Sequence, residues 1–462
     1  MLRCGKECAR RGMMVLRAVR RGVDGGVMAF TLAVVVVVVG LLVSIALHEV
    51  GHMVPAKRFG VRVSQYMVGF GPTLWSRTRG ETEYGLKAIP LGGYVRLVGM
   101  LPPADVVGAA PPRAGRMAEL VADARAASAE EIRPGEDHRA FYRLSTPRKV
   151  VVMTGGPLMN LLIAGVLLAV VGVGIGVPVP GTTVASMPAC VPAAQGRPCT
   201  DADPATPAEV AGVRTGDRLV AYDGVPTPTW EDFQQAVAGA GTAVVPLTVE
   251  RAGEELTLQV EPALRGRVVL GADGAPVPGA DGEPATETVP FVGVTPGYER
   301  ERQSVGTVAA QLGDVTWQTA RVVATLPVHV VEVGRAAFGG AERTDGILGP
   351  VGIGRVAGEI ATTDAPGVTV SDRVATMLTL LAVLNVALFV FNMIPLLPLD
   401  GGHVAGALWE GARRQVARLR GRPRPAPTDV ARMMPVAYGV FIALIGLGVL
   451  LLYADIVRPI TL

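Results

Sequence analysis

His48-Glu49-Val50-Gly51-His52 places two imidazoles and a carboxylate at a spacing that suits metal chemistry. Residues four apart share one helix face, so His48 and His52 can both reach a single Zn²⁺. Glu49 between them can then act as general base on a metal-bound water. A catalytic zinc takes three protein ligands and keeps one position open. Two common sources of the third ligand are excluded. Pro55 and Arg58 stand where a metzincin needs Gly and His, and the stretch 68–75 that follows holds no carboxylate. The candidate third ligand is Asp400, the only carboxylate in the segment 392–403, NMIPLLPLDGGH. His403 is either a fourth ligand or, by preference, a supporting group. Asn392 either orients substrate or a ligand, or bonds a neighbouring helix.

The elements that must hold these residues are apolar. Of 462 residues, half are hydrophobic. Four runs, 29–47, 150–177, 374–391 and 435–453, are long enough to cross a bilayer as helices. Ionisable groups at the edge of such a run are costly and mark function. The net charge of +3 gives no reason to expect a nucleic-acid partner.

Arg413, Arg414, Arg418, Arg420, Arg422, Arg424 and Arg432 crowd the segment between the third and fourth runs, which places it in the cytoplasm. Four spans then put 53–149 in the cytoplasm and 178–373 outside. The His motif and Asp400 thereby fall at the same, cytoplasmic, depth. Seven basic residues within 1–27 oppose that topology. The expectation is that translation starts at Met28, or at Met13 or Met14, and that the basic leader, residues 1–27, reflects a misplaced start. Cys190 and Cys199 fall in the external segment, where a disulfide and two free thiols are both open readings.

Within that segment, residues 206–262 alternate as strand, helix, strand, strand, with AGVRTGD at the first turn. This order resembles a PDZ domain, which captures an extended peptide by strand addition. The Gly/Pro-rich stretch 264–288 reads as a linker, and 301–345 as amphipathic helices near the membrane surface.

The expected fold is a four-span α-helical membrane protein with an inserted, mainly-β PDZ-like extracytoplasmic domain and a membrane-associated β-hairpin. The divisions are a leader (1–27), a first core part with its hairpin at 84–98 (28–178), the PDZ-like domain (179–263), linker and amphipathic helices (264–345), and a second core part (346–462). The spans are drawn at about 29–50, 150–177, 374–395 and 435–453.

HExxH in a first membrane run, with NxxPxxxLDGG closing a third, resembles the site-2 protease family of intramembrane zinc metalloproteases. Phe70-Gly71-Pro72 with Ile89-Pro90-Leu91-Gly92-Gly93-Tyr94, then Gly155-Gly156-Pro157-Leu158-Met159-Asn160, and Gly349-Pro350-Val351-Gly352 are similar to further family segments. The closest subgroup is bacterial, with an extracytoplasmic PDZ domain. The long insert around 101–137 departs from the pattern without touching the motif residues.

The resemblance implies Zn²⁺ on His48, His52 and Asp400, Glu49 as the base, and substrate contacts from Asn392, Gly92, Gly93 and Asn160. It also implies regulated intramembrane proteolysis in the plasma membrane. The substrate would be a single-span protein, either a pre-trimmed anti-sigma factor or a remnant signal peptide, and the partners would include membrane lipid. A catalytically silent PDZ-containing scaffold is the alternative. It gives no reason for a base between two ligands. A metal transporter would require charged groups along several runs, and the second and fourth have almost none.

Overall fold

The computed structural model describes residues 4–108, 116–191, 199–200, 203–269, 271, 277, 279, 284–339, 347–363 and 368–459. They form two compact units, Met1–Ile175 with Gln303–Leu462, and Gly176–Arg302.

The first unit begins with α1 (Cys4–Arg58), a continuous helix that starts well before the apolar run. Lys57 and Arg58 in its last turn complement the helix dipole. Gly60, at φ +81°, turns the chain into β1 (Val63–Arg79) and β2 (Thr82–Leu97). The strands pair antiparallel. Both bend, so β1 has neighbours on two sides: Val63–Val68 faces Leu97–Gly93 on one side, and Gln65–Phe70 faces Glu83–Ile89 on the other. The hairpin is therefore larger than 84–98, and residues 93–97 form an outer edge beside α1.

The described part of the insert includes α2 (Arg116–Glu130) and is tied down in its second half. Arg125 pairs with Asp429 at 2.7 Å, and Arg62 bonds Glu136 at 3.4 Å. Next comes α3 (Thr146–Ala169), continued by a π-helical turn at Val170–Ile175.

The second unit is a β-rich domain. Its sheet contains β3 (Val177–Ser186), β4 (Arg218–Tyr222), β5 (Val245–Arg251) and β6 (Glu254–Val260), with α4 (Trp230–Ala240) before β5. Thr229 and Asp232 cap α4 reciprocally. Alternating inward residues, Leu219, Leu247 and Val249, pack with Tyr222 and Phe233 into one core. The stretch read as a linker instead contributes strands β7 (Ala263–Val268) and β8 (Thr286–Phe291), paired antiparallel. Its alternation, Leu264, Arg265, Gly266, Arg267, is too polar to announce a strand. β9 (Thr295–Glu301) then pairs with β3. Cys190 and Cys199 form a disulfide.

The first unit resumes with α5 (Val305–Ala324) and α6 (Leu326–Gly339), bent by 67° where they meet. Then follow α7 (Pro350–Thr362), α8 (Val370–Asn392), α9 (Asp400–Leu419) and α10 (Met434–Val457). Among the described residues four helical segments, Gly26–Arg58, Thr146–Ile175, Val370–Asn392 and Val430–Val457, are long and apolar enough to cross a membrane, or five if the bent pair is one span. They contain three of the runs read from the sequence and all but the last two residues of the second, because Gly176, at φ +86°, ends that helix and Val177 begins β3.

Two glycine motifs explain how the helices approach. Pro55 has no N–H, so the Gly51 carbonyl lacks its helical partner. A Cβ at Gly155 would lie 2.1 Å from that oxygen, and a Cβ at Gly51 would lie 2.3 Å from the Gly155 oxygen. Only glycine on both helices permits α1 and α3 to cross this closely. At α7, the buried Asp455 of α10 accepts from the Gly352 amide at 2.7 Å. Gly349 and Gly352 leave room for that carboxylate, which satisfies a donor at a helix N-terminus.

Candidate metal centre

The site is built at the C-terminal end of the apolar part of α1. His48 and His52, one turn apart, are both buried and point the same way. Their Nε2 atoms lie 3.2 Å apart, and Asp400 Oδ2 is 3.3 Å from each. The three atoms make a nearly equilateral triangle. Tetrahedral zinc with bonds of about 2.0–2.1 Å separates its ligand atoms by about 3.3 Å, so the donor set fits the metal in size and chemistry. Among the described residues this is the one such group of ligating side chains. His403 is not in it, although it lines the same cavity.

Each ligand is held from behind. His52 Nδ1 lies 2.8 Å from the Val152 carbonyl of α3, which fixes Nδ1 as the protonated nitrogen and leaves Nε2 free. His48 Nδ1 lies 3.1 Å from the buried Asn160 amide, also on α3. The Asn160 Oδ1 atom has no partner. The amide turned by half a revolution would offer that oxygen to His48 Nδ1–H, satisfying both groups. Asn160 therefore stands behind a ligand as well as on the cavity wall.

Asp400 occupies the first turn of α9, after a segment broken by Pro395 and Pro398. Gly401 and Gly402 let α9 fold against that segment: Cβ atoms there would lie 2.3 Å from the Ile394 oxygen and 2.6 Å from the Leu396 carbonyl carbon. Burial opposes ionisation of Asp400, yet the two imidazoles hold its carboxyl well below the usual carboxylate range. It is an anionic ligand across the neutral range.

Gly156 of α3 supplies the remaining space. A Cβ there would lie 2.2 Å from His52 Nε2 and 2.8 Å from His48 Nε2. Sequence reasoning took the Gly-Gly pair as a supporting likeness and missed this function. Its signal was the pairing itself, one glycine for the helix crossing and the next for the metal.

Glu49 is buried beside the triangle and accepts from the Val95 amide of the β2 edge. Gly93 packs so closely that a Cβ would lie 3.3 Å from Glu49 Cγ. A cavity of about 470 Å³ joins all these parts. It is lined by His48, Glu49, His52, Gly92, Gly93, Asn160, Asn392 and Asp400, so all eight residues singled out in the sequence come together. Tyr94, Val95, Met100 and Leu388 also line it. No spacing rule pointed to them.

A zinc-type triad with an adjacent carboxylate, set among membrane-grade helices, defines the chain as a zinc metalloprotease of membrane type. Comparison with known proteins agrees. The description of peptidase family M50 matches residues 36–434, and the chain belongs to that family. Zinc metalloprotease Rip1 of Mycobacterium tuberculosis (strain ATCC 25618 / H37Rv) is 34% identical over 445 residues, covering 94% of this chain and 100% of that protein. Rip1 of Mycolicibacterium smegmatis is 30% identical over 446 residues, with the same coverage. Zinc metalloprotease RasP of Oceanobacillus iheyensis is 25% identical over 426 residues, covering 81% of this chain and 89% of that protein.

Proposed function

We propose that this protease hydrolyses a peptide bond inside the transmembrane segment of a single-span protein, with His48, His52 and Asp400 as metal ligands and Glu49 as base. The observation that carries the reading is the ligand triangle built on the apolar helix α1, with the outer edge of β2 next to Glu49.

Zinc, when bound, acidifies a water and polarises the scissile carbonyl. Glu49, beside the three residues that would hold the zinc, would act as proton acceptor for the attacking water and as donor to the leaving amine. Asn160 holds His48, and the Val152 carbonyl holds His52. A helical substrate hides its peptide bonds, so it must unwind before cleavage. Residues 93–97 offer an edge on which the unwound segment can pair, and Gly92 and Gly93 leave the approach to its first residue free of side chains. Asn392, at the end of α8, would orient the carbonyl.

The disulfide supports an extracytoplasmic place for the second unit, since such bonds persist in oxidising compartments. The arginines after α9 support a cytoplasmic place for the metal end of the core. In this reading the second unit is PDZ-like and screens or captures substrates, the membrane is the plasma membrane, and the substrate is a pre-trimmed anti-sigma factor or a remnant signal peptide.

The test is cleavage of a tagged single-span reporter in membranes. Glu49→Gln should retain zinc yet lower cleavage by a factor of about 10²–10⁴. Chelation should abolish cleavage, and added zinc should restore it. Wild-type rates from Glu49→Gln would remove the assigned base.

A further inference from the structure

The cytoplasmic end of the core carries more cations than its carboxylates use. Glu410 on α9 is buried and accepts from Lys149 at 2.9 and 3.1 Å, from the Thr428 amide at 3.2 Å, and from Arg414. That exhausts it. Arg414 Nε is buried without a partner, and Arg424 repels both Arg414 and Lys149. Arg414, Arg418, Arg422 and Arg424 line one cavity of about 610 Å³, floored by Thr146, the first residue of the second candidate span. Among the described residues, Arg418, Arg422 and Arg424 have no ion pair.

A second cavity, of about 460 Å³, adjoins the first through Arg422, which lines both. Its wall is mainly apolar, with Trp409, Val416 and Pro423, and also carries Arg413 and Arg420. Trp409 and Leu419 are exposed on the same helix, at 62% and 76%. A cationic cavity at the foot of a membrane-grade helix, beside a mainly apolar one bearing a tryptophan, has the two-part chemistry of a phospholipid.

We propose that this pair of cavities binds an anionic phospholipid. Its phosphate would lie on Arg414, Arg418, Arg422 and Arg424, and its acyl chains along Trp409 and Val416. A phosphate there would offset the local excess of positive charge. A free phosphate ion shares the first half of that chemistry but gains nothing from the apolar cavity.

The experiment places the full-length protein in nanodiscs of mixed phosphatidylglycerol and phosphatidylcholine, extracts it in mild detergent, and measures retained lipid by native mass spectrometry. The wild type should retain phosphatidylglycerol enriched roughly tenfold over the disc composition. The Arg418→Gln/Arg422→Gln/Arg424→Gln variant should fall to the disc ratio while keeping its zinc and helix content. Arg133→Gln/Arg432→Gln, which removes two exposed charges of the same unit that line neither cavity, should keep the enrichment. Millimolar inorganic phosphate should not displace the lipid. The proposal is overturned if the wild type shows no enrichment, a result that needs no variant to fold. It is also overturned if the triple variant enriches like wild type, if the control pair loses as much, or if inorganic phosphate displaces the lipid.

Discussion

Two residues outside the ligand set decide whether the triangle can hold metal. Asn160 sets the orientation of His48. Asn160→Leu should weaken zinc binding by about 10–100-fold, the usual cost of removing a group that holds a ligand. Asn160→Asp should preserve binding, because a carboxylate can also accept from Nδ1–H. Competition with a chromophoric chelator measures both. If Asn160→Leu binds zinc like wild type, its role lies with substrate alone. Gly156→Ala should have a sharper effect, because the added methyl falls in the space between the two Nε2 atoms. The purified variant should contain little zinc yet keep its helix content. A full complement of zinc would show that α3 can move away at little cost.

At the scale of elements, the buried Lys149–Glu410 pair ties the start of α3 to the middle of α9, the helix that delivers Asp400. Glu410 also pairs with Arg414, so Glu410→Leu strands two cations and should lower stability by about 3–5 kcal/mol. Lys149→Met leaves Glu410 with Arg414 and should cost less. The double replacement should recover the part of the Glu410→Leu loss that is due to Lys149. Scanning calorimetry of the four proteins in one lipid or detergent decides this, and a double variant no better than Glu410→Leu would rule out burial of the Lys149 charge as a cause.

The second unit has its own electrostatic tie. Asp217, buried beneath the AGVRTGD turn, accepts from Arg251 at 2.7 Å and from the Arg214 amide at 2.8 Å. The Arg251 guanidinium holds the Asp217 carboxyl below its ordinary value, despite burial. A lowered carboxyl stabilises the fold above the ordinary carboxylate pKa of about 4, and loses that contribution as pH falls through the lowered value. Hydrogen exchange at residues 212–218 should accelerate on acidification below about pH 4. Asp217→Asn should flatten that dependence, and an unchanged profile would assign the acid lability elsewhere.

At the scale of the molecule, what the sequence announced was what short-range periodicity can encode. The spans are uncharged runs of membrane length, and the ligand pair follows the helical repeat. Asp400 stood out because a lone carboxylate followed two prolines. The rest depends on distant partners. Nothing local says that Gly155 must meet the unpaired Gly51 carbonyl, since that needs two helices and their crossing. The insert read as remote from the chemistry is fastened by Arg125 to Asp429, 304 positions away, and the adjacent Met100 lines the catalytic cavity. Strands β7 and β8 were missed because their residues are polar and their pairing joins separated segments.

The order of the ligands along the chain has a bearing on synthesis. His48 and His52 leave the ribosome early, whereas Asp400 lies 348 residues beyond His52. At about 5–20 residues per second, roughly 20–70 s separate the two ends of the triangle. During that interval the nascent chain holds two imidazoles and a base but lacks the carboxylate that completes the set. The ligand set thus cannot be completed until the second unit and the helix Val370–Asn392 have been synthesised. Chain order itself acts as a delay on proteolysis, and it does so without an inhibitory propeptide.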